Sequence, residues 1–322
     1  MYWMVSELPP PDWRSSDPPQ RPVLFVNPRS AGGKAARAQV AERARERGIK
    51  TVIFGPDQSP ETLAREAVTN GADALGVAGG DGSMAVVAAT AATHGLPFVC
   101  VPAGTRNHFA LDLGVDPHDV LGALDAFTGG IERRIDVAEV NGRVFVNNVS
   151  LGIYGDAVHS PAYRDAKART LLETAKKVLG PSAEVPALRL VDDVGREHRH
   201  LALVLVSNNP YTLDRPLAQG ARPALDSGRL GIIVLDAPSA ASHPPSAAPQ
   251  TPGRAWSAPR LEVGAAAPVH AGVDGEAVDL SPPLQFTIRP GALRVRISSR
   301  HHGISPSARL PSTREPRRLP EH

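Results

Sequence analysis

The chain has 322 residues and a net charge of +2, with 42% hydrophobic and 21% charged residues, enough for two domains that each bury a core. That charge gives no sign of a polyanionic partner, so nucleic acid is not expected. The single cysteine, Cys100, excludes an internal disulfide and points to a reducing compartment, and the longest apolar runs, such as "LALVLV" (Leu201–Val206), are too short to span a bilayer.

The first residues lack a basic start followed by an apolar core, so the chain reads as soluble and intracellular. Proline is unevenly used. "SELPPPDWRSSDPPQRP" (Ser6–Pro22) and "HHGISPSARLPSTREPRRLPEH" (His301–His322) are proline-rich and lack apolar periodicity. Residues 1–22 and 300–322 therefore read as disordered tails. Arg294, Arg296, Arg300, Arg309, Arg314, Arg317 and Arg318 concentrate positive charge near the C-terminus, as a solvated tail or as an attraction to anionic lipid.

From Val23 short apolar runs alternate with helical stretches, the pattern of a parallel α/β sheet. "VLFVN" predicts a strand and Ala35–Arg47 a helix closed by Gly48; "KTVIFG" predicts the second strand and Pro60–Asn70 a helix capped by Ser59 and Gly71. "DALGVA", the helix Ser83–His94 and "PFVCVP" follow, with Cys100 expected as a buried thiol. After Asp136 the texture changes. "RRIDVAEVNGRVFVNNVSLGI" predicts a hairpin around Asn141-Gly142. A helix is expected over Ala162–Leu179, with domain packing or lipid contact as its two readings. Then come short strands with turn residues between them, including "LQFTIRP" and "LRVRIS" as separate strands and Ala237–Trp256 as a surface loop. The histidines of "EHRHL" and "RHHGI" lack metal-ligand spacing and read as surface residues.

The expected fold class is α/β: a parallel-sheet, Rossmann-like nucleotide-binding domain over residues 23–137, then an antiparallel β-sandwich domain over 138–299, whose last strands could return to the first domain.

Three loops follow successive strands of the parallel region, where ligands of such sheets bind. "NPRSAGGK" (Asn27–Lys34) offers small residues before a helix but lacks the P-loop spacing. "GGDGS" (Gly79–Ser83) places an acid among glycines. Asp81 would repel a bare pyrophosphate, whereas a divalent cation between them removes the conflict, which favours a metal-nucleotide ligand over a dinucleotide. The third loop, "PAGTRNHFA" (Pro102–Ala110), carries Thr105 and Asn107.

In order and spacing these loops, with "LDSGRLGI" (Leu225–Ile232) and "VDGEAV" (Val273–Val278) further on, resemble the diacylglycerol kinase catalytic-domain family, bacterial lipid kinases that include YegS-like and sphingosine-kinase-like proteins. The likeness runs from about Val23 to about Ile297. It implies an ATP-dependent, Mg2+-dependent kinase, a phosphotransferase acting on a hydroxyl of diacylglycerol or a related lipid in phospholipid metabolism. Asn27, Pro28, Arg29, Ser30 and Ala31, then Gly79, Gly80, Asp81, Gly82, Ser83, Met84 and Ala85, and Thr105 with Asn107, would hold ATP. Asp81, Asp136 and Asp226 match a carboxylate and magnesium network, with Asp81, Asp226 and Ser227 as the metal set. Glu276 matches the general base on the lipid hydroxyl. A cytoplasmic protein, peripheral at the inner face of the membrane, is implied; a homodimer is left open.

Two positions depart from the family pattern. His108 stands where most bacterial relatives carry the aspartate of G-T-x-N-D, and Ser227 replaces the second aspartate of D-D-G. Met84, Ala85 and Val86 also replace the common L-N-E continuation. Two other functions stay open. NAD kinases share G-G-D-G but carry a downstream Asn-Glu pair where this chain has "NNVSLG" (Asn147–Gly152). A catalytically weakened lipid- or nucleotide-binding protein would also accommodate His108 and Ser227.

Overall fold

The computed structural model describes residues 12–152, 188–192, 194–199, 201–212, 222–236 and 254–308. In the first half, strands β1 (Arg14–Ser15), β2 (Pro22–Val26), β3 (Lys50–Ile53), β4 (Ala74–Gly79) and β5 (Pro97–Pro102) alternate with helices α1 (Lys34–Arg37), α2 (Val40–Glu46), α3 (Pro60–Thr69), α4 (Asp81–Thr93), α5 (His108–Asp112) and α6 (Ala126–Gly129). Then follow β6 (Gly130–Val140), β7 (Arg143–Phe145), β8 (Asn148–Gly152), β9 (Arg189–Val191), β10 (Glu197–Arg199), β11 (Leu201–Asn208) and β12 (Leu230–Asp236). The last strands are β13 (Arg254–Ala258), β14 (Arg260–Gly264), β15 (Val269–Val273), β16 (Glu276–Leu280) and β17 (Leu284–Ser298).

Two sheets result. The first runs β10-β9-β14-β17-β5-β4-β2-β3, with β6 on β17 and β1 and β7 on β6. Its parallel part, β3-β2-β4-β5-β17, is flanked by helices, and β2, β4 and β5 are buried along their whole length. That is why they appear in the sequence as continuous apolar runs and not as alternations. The second sheet, β13-β12-β11-β8-β15-β16, is antiparallel throughout. Its apolar side packs on the antiparallel arm of the first, where Phe145, Leu261 and Phe286 meet Leu151, Val206 and Ile232 in one core.

Local chemistry fixes the helices. Ser59 Oγ accepts from Thr62 N–H at the start of α3, with Pro60 in the first turn. In α4 seven residues are buried, six of them Ala, Val or Met on more than one face, as suits a helix enclosed between β4 and β5 on one side and β7 and β17 on another. The predicted helix over 35–47 is two helices, because Gln39 takes a left-handed conformation (φ 52°) between them.

Several expectations change. "LQFTIRP" and "LRVRIS" are one strand, β17, whose register shifts between Arg289 and Leu293 around Pro290 and Gly291. Proline cannot donate to the ladder, so the strand bulges there. Arg254–Trp256 of the expected loop belong to β13; residues 237–253 and the helix expected over 162–179 lie outside the described residues. Residues 12–22 and 300–308, read as tail by composition, pack on the sheet. Trp13 is buried and its Nε1–H donates to Gly303 O (2.7 Å), while β1 pairs with β6. Arg294 pairs with Glu132 (2.7 Å), and the buried Arg296 donates to Ala126 O, Ser16 Oγ and Asp17 O, so neither is free for lipid. His198 and His301 are buried too. His198 Nε2 bonds Asp192 Oδ2 (2.9 Å) and its ring stacks on Trp256; His301 Nδ1 accepts Asp116 N–H. No helix among the described residues is long and apolar enough to cross a membrane.

Candidate active site

The three loops at the carboxyl ends of β2, β4 and β5 touch one another. Asn27 Nδ2 donates to Ser83 Oγ (3.5 Å), and Ser30 Oγ lies beside Gly80. Gly80 and Gly104 meet backbone to backbone: a Cβ on Gly104 would lie 2.5 Å from Gly80 Cα. Only glycine permits that approach. Ala31, Gly32 and Gly33 have φ of 48°, 62° and 90°, so the first loop coils tightly before α1.

Other loop residues are committed to holding this arrangement. Asn107 is buried, with Oδ1 accepting Gly104 N–H and Nδ2 donating to Gly104 O (both 2.9 Å), so its amide is a latch within the third loop. Lys34 Nζ donates to Pro102 O (2.9 Å) and Pro117 O (2.8 Å), pinning the first loop to the third. Burial lowers its affinity for the proton, with Asp116 opposing. Met84 is fully buried with its thioether on Cys100 Sγ, and its N–H bonds Gly80 O, so it offers nothing to a ligand. Cys100 is a buried free thiol, pushed well up by burial and then by Asp81, and is inert. Thr105 is exposed, and Pro28, Arg29 and Ser30 lie at or near the surface of the first loop.

Asp81 opens α4 and faces the start of α5. Its Oδ2 accepts His108 N–H and its Oδ1 accepts Phe109 N–H, both at 3.2 Å. The carboxylate thus satisfies two of the donors a helix N-terminus leaves unpaired. His108 contributes to this contact through its backbone, where any residue would serve.

Across from this loop stands the β15–β16 hairpin. Asp274 (φ 48°) and Gly275 (φ 86°) form its two-residue turn, the left-handed pair such hairpins require. Asp274 reaches backward. Its carboxylate accepts the N–H groups of Val146 (2.9 Å), Asn147 (2.8 Å) and Asn148 (3.0 Å), which fixes the turn to the β7–β8 link. Burial pushes this carboxyl up to about 7 although the three donors favour its charged form, and the Asp81 charge adds to the rise.

Glu276 follows the turn and points at α4. A Cβ on Gly82 would lie 2.5 Å from Glu276 Oε1, so the side chain rests on the glycine. It is 53% exposed, with Arg143 Nη2 3.7 Å from its Oε2, and so remains open to a ligand. Glu276 and Gly82 line a cleft of about 650 Å³ beside α3 and α4, walled by Ala85, Val86 and Ala89 of α4, by Arg143 and by Arg289.

Asp136 and the Leu225–Gly228 turn are joined, Asp136 N–H donating to Leu225 O (2.7 Å). Asp136 is buried, its Oδ2 accepting Gly228 N–H (2.7 Å) and its Oδ1 accepting Gly291 N–H (2.9 Å), so it joins that turn to the bulge of β17. Asp226 is exposed and close enough to Arg133 for their charges to interact. Ser227 N–H and Oγ–H both donate to Asn209 Oδ1 (2.8 and 2.6 Å). No group of three His, Cys, Asp or Glu side chains converges on a cation among the described residues. Of the four acids expected to act together, Glu276 lines the cleft, Asp81 holds the start of α5, and Asp136 bonds the backbone of Gly228 and Gly291.

Sequence reasoning passed over Asp274, Arg143 and a buried ion pair, Asp112–Arg222 (2.6 Å). Asp274 sits in the Asp-Gly-Glu motif itself and Arg143 directly after Asn141-Gly142, so position next to a recognised turn was the available signal. Nothing local marked the ion pair.

Residues 21–140 match the family model described as diacylglycerol kinase catalytic domain. A protein of Pseudomonas aeruginosa named "Probable lipid kinase YegS-like" is 29% identical over 299 residues, 85% of this chain and 93% of that one. A Bacillus subtilis protein named "Diacylglycerol kinase" is 30% identical over 176 residues, 53% of this chain and 57% of the relative. A diacylglycerol kinase crystal structure from Bacillus anthracis superposes with a TM-score of 0.59 at 17% identity, covering 86% of this chain and 96% of the other. At that identity the likeness is one of fold.

Proposed function

We propose that this chain, which belongs to the diacylglycerol kinase catalytic-domain family of lipid kinases, transfers the γ-phosphoryl group of ATP to a hydroxyl of diacylglycerol or a closely related lipid. The observation that carries the reading is the contact of Glu276 with Gly82, which sets an open carboxylate beside a glycine-rich helix start. Phosphoryl transfer asks a protein mainly for alignment and charge neutralisation. The backbone N–H groups at the start of α4 attract phosphate oxygens, Gly80 and Gly104 leave room for them, and Arg143 adds positive charge at the cleft. The lipid oxygen attacks the γ-phosphorus, the bond to the bridging oxygen of ADP breaks, and Glu276 accepts the hydroxyl proton.

Asp81 fits a magnesium ion that arrives with the nucleotide. Each of its oxygens holds one N–H and retains a second lone pair, and magnesium is commonly bound through one or two carboxylates plus substrate phosphates. Such an ion would neutralise phosphate charge. Asp136 serves the fold in this scheme, and the domain limits 23–137 and 138–299 belong to the same reading. The lipid would be met at a membrane surface.

The test is transfer of labelled phosphate from ATP and magnesium to diacylglycerol, a sphingoid base, a polyprenol or NAD, each supplied alone. Label in a lipid is expected. Label in NAD alone would overturn the reading, and ATP or lipid binding without transfer to any acceptor would favour a binding protein.

A further inference from the structure

We propose that Arg222 is a positioning residue that holds the Asp274-Gly275-Glu276 turn in place relative to the Asp81 loop, acting through its buried ion pair with Asp112. For its catalytic readout the proposal rests on the phosphotransfer reading above.

The Arg222 side chain is fully buried, and its bonds join α5 to the segment that holds Asp274. Its Nε and backbone N–H donate to the two oxygens of Asp112, at 2.6 and 3.2 Å. Its Nη1 donates to Val146 O and to Asn208 O, and its Nη2 to Asn147 Oδ1 (2.7 Å). Asp112 is the last residue of α5, whose first N–H groups are held by Asp81. Arg222 thus connects the far end of that helix to the Val146–Asn147 link.

The link lies between opposite charges. On one side its carbonyl and amide oxygens accept from Arg222; on the other its N–H groups, with that of Asn148, donate to Asp274. In the Val146–Asn147 peptide a cation at the C=O end and an anion at the N–H end polarise the group in the same sense, so these two hydrogen bonds strengthen each other. Asn208 Nδ2 adds a second donor to Val146 O, and Asn148 Nδ2 donates to Tyr211 Oη beside the guanidinium. The continuous path is Asp81, α5, Asp112, Arg222, the link, Asp274, and then Glu276 two residues on. Burying a full cation is costly unless it is paired, and apolar residues of like volume often stabilise a fold as well. What apolar residues cannot supply is the donor fork that grips the link.

The discriminating variant is therefore Asp112→Leu combined with Arg222→Met, which removes both charges at similar volume. Removing both charges together leaves neither one buried and unpaired, so the melting temperature should fall only through the lost donors to Val146, Asn208 and Asn147. Amide exchange should nevertheless quicken at residues 146–148 and 274–276. The kcat should fall by about 10- to 100-fold, the scale set by small misplacements of catalytic groups, with KM for ATP unchanged. Exchange and kcat at the levels of the unsubstituted protein would overturn the proposal and leave the pair as packing. Should the double variant not fold, Arg222→Lys decides by the same readouts, since lysine keeps the charge and loses the fork. Should the unsubstituted protein phosphorylate no acceptor, the kinase reading fails while exchange still decides whether Arg222 positions the turn.

Discussion

Glu276 rests directly on Gly82, so the hairpin that carries a carboxylate and the helix that carries Asp81 are in contact at one glycine. Gly82 has an ordinary backbone conformation within α4, where alanine would favour the helix by about 0.5–1 kcal/mol. The atom a methyl group would strike is the mobile end of an exposed side chain. Gly82→Ala should therefore keep or raise the melting temperature while displacing Glu276 and lowering kcat. Calorimetry and a transfer assay on one preparation check both; loss of stability together with activity would contradict the assignment.

Gly104→Ala should behave differently. Its Cβ would meet Gly80 Cα at 2.5 Å and Gly79 O at 3.1 Å, and backbone cannot step aside as a side chain can. A cost of about 1–3 kcal/mol is expected for such overpacking, and, on the proposed nucleotide site, a raised KM for ATP because the two loops are forced apart. Denaturant titration and nucleotide kinetics measure the two effects.

Asp274 gives a pH signature. Its carboxyl is at about 7 in the fold against 3.8 unfolded, so the folded state holds the proton more tightly. The resulting stabilisation is full below about 4 and is lost as pH rises through 7. Asp274→Asn removes this dependence. The advantage of the unsubstituted protein over the variant in urea midpoint should shrink from pH 5 toward pH 8, on the sign set by linkage at about those values; parallel profiles would contradict it.

Which parts of this fold could be read in advance follows from the range of the interactions. The parallel strands were visible because residues such as Leu24, Leu75 and Phe98 are buried in a sheet covered on both faces, and the Asn141-Gly142 turn because its backbone geometry favours those residues. Gln39 breaks a helix with no glycine or proline to announce it. Arg222 and Asp112 are 110 residues apart, and Trp13 meets Gly303 across 290, so composition alone read the segments around Trp13 and Gly303 as tail. The motif acids were found together in sequence, yet Asp136 uses both oxygens on the backbone of Gly228 and Gly291. A motif records which residue occupies a position, whereas its role depends on neighbours that only the fold brings near.

The most direct measurement is transfer of labelled phosphate from ATP to diacylglycerol in mixed micelles with magnesium, by the unsubstituted protein and by Glu276→Gln. Glu276 is half exposed and its ion pair with Arg143 is at 3.7 Å, so the variant should lose at most about 1 kcal/mol of stability. The account predicts labelled lipid from the unsubstituted protein and a kcat lower by about 10²- to 10⁴-fold in the variant, with ATP binding retained. A Glu276→Gln protein that transfers phosphate as fast as the original would contradict it.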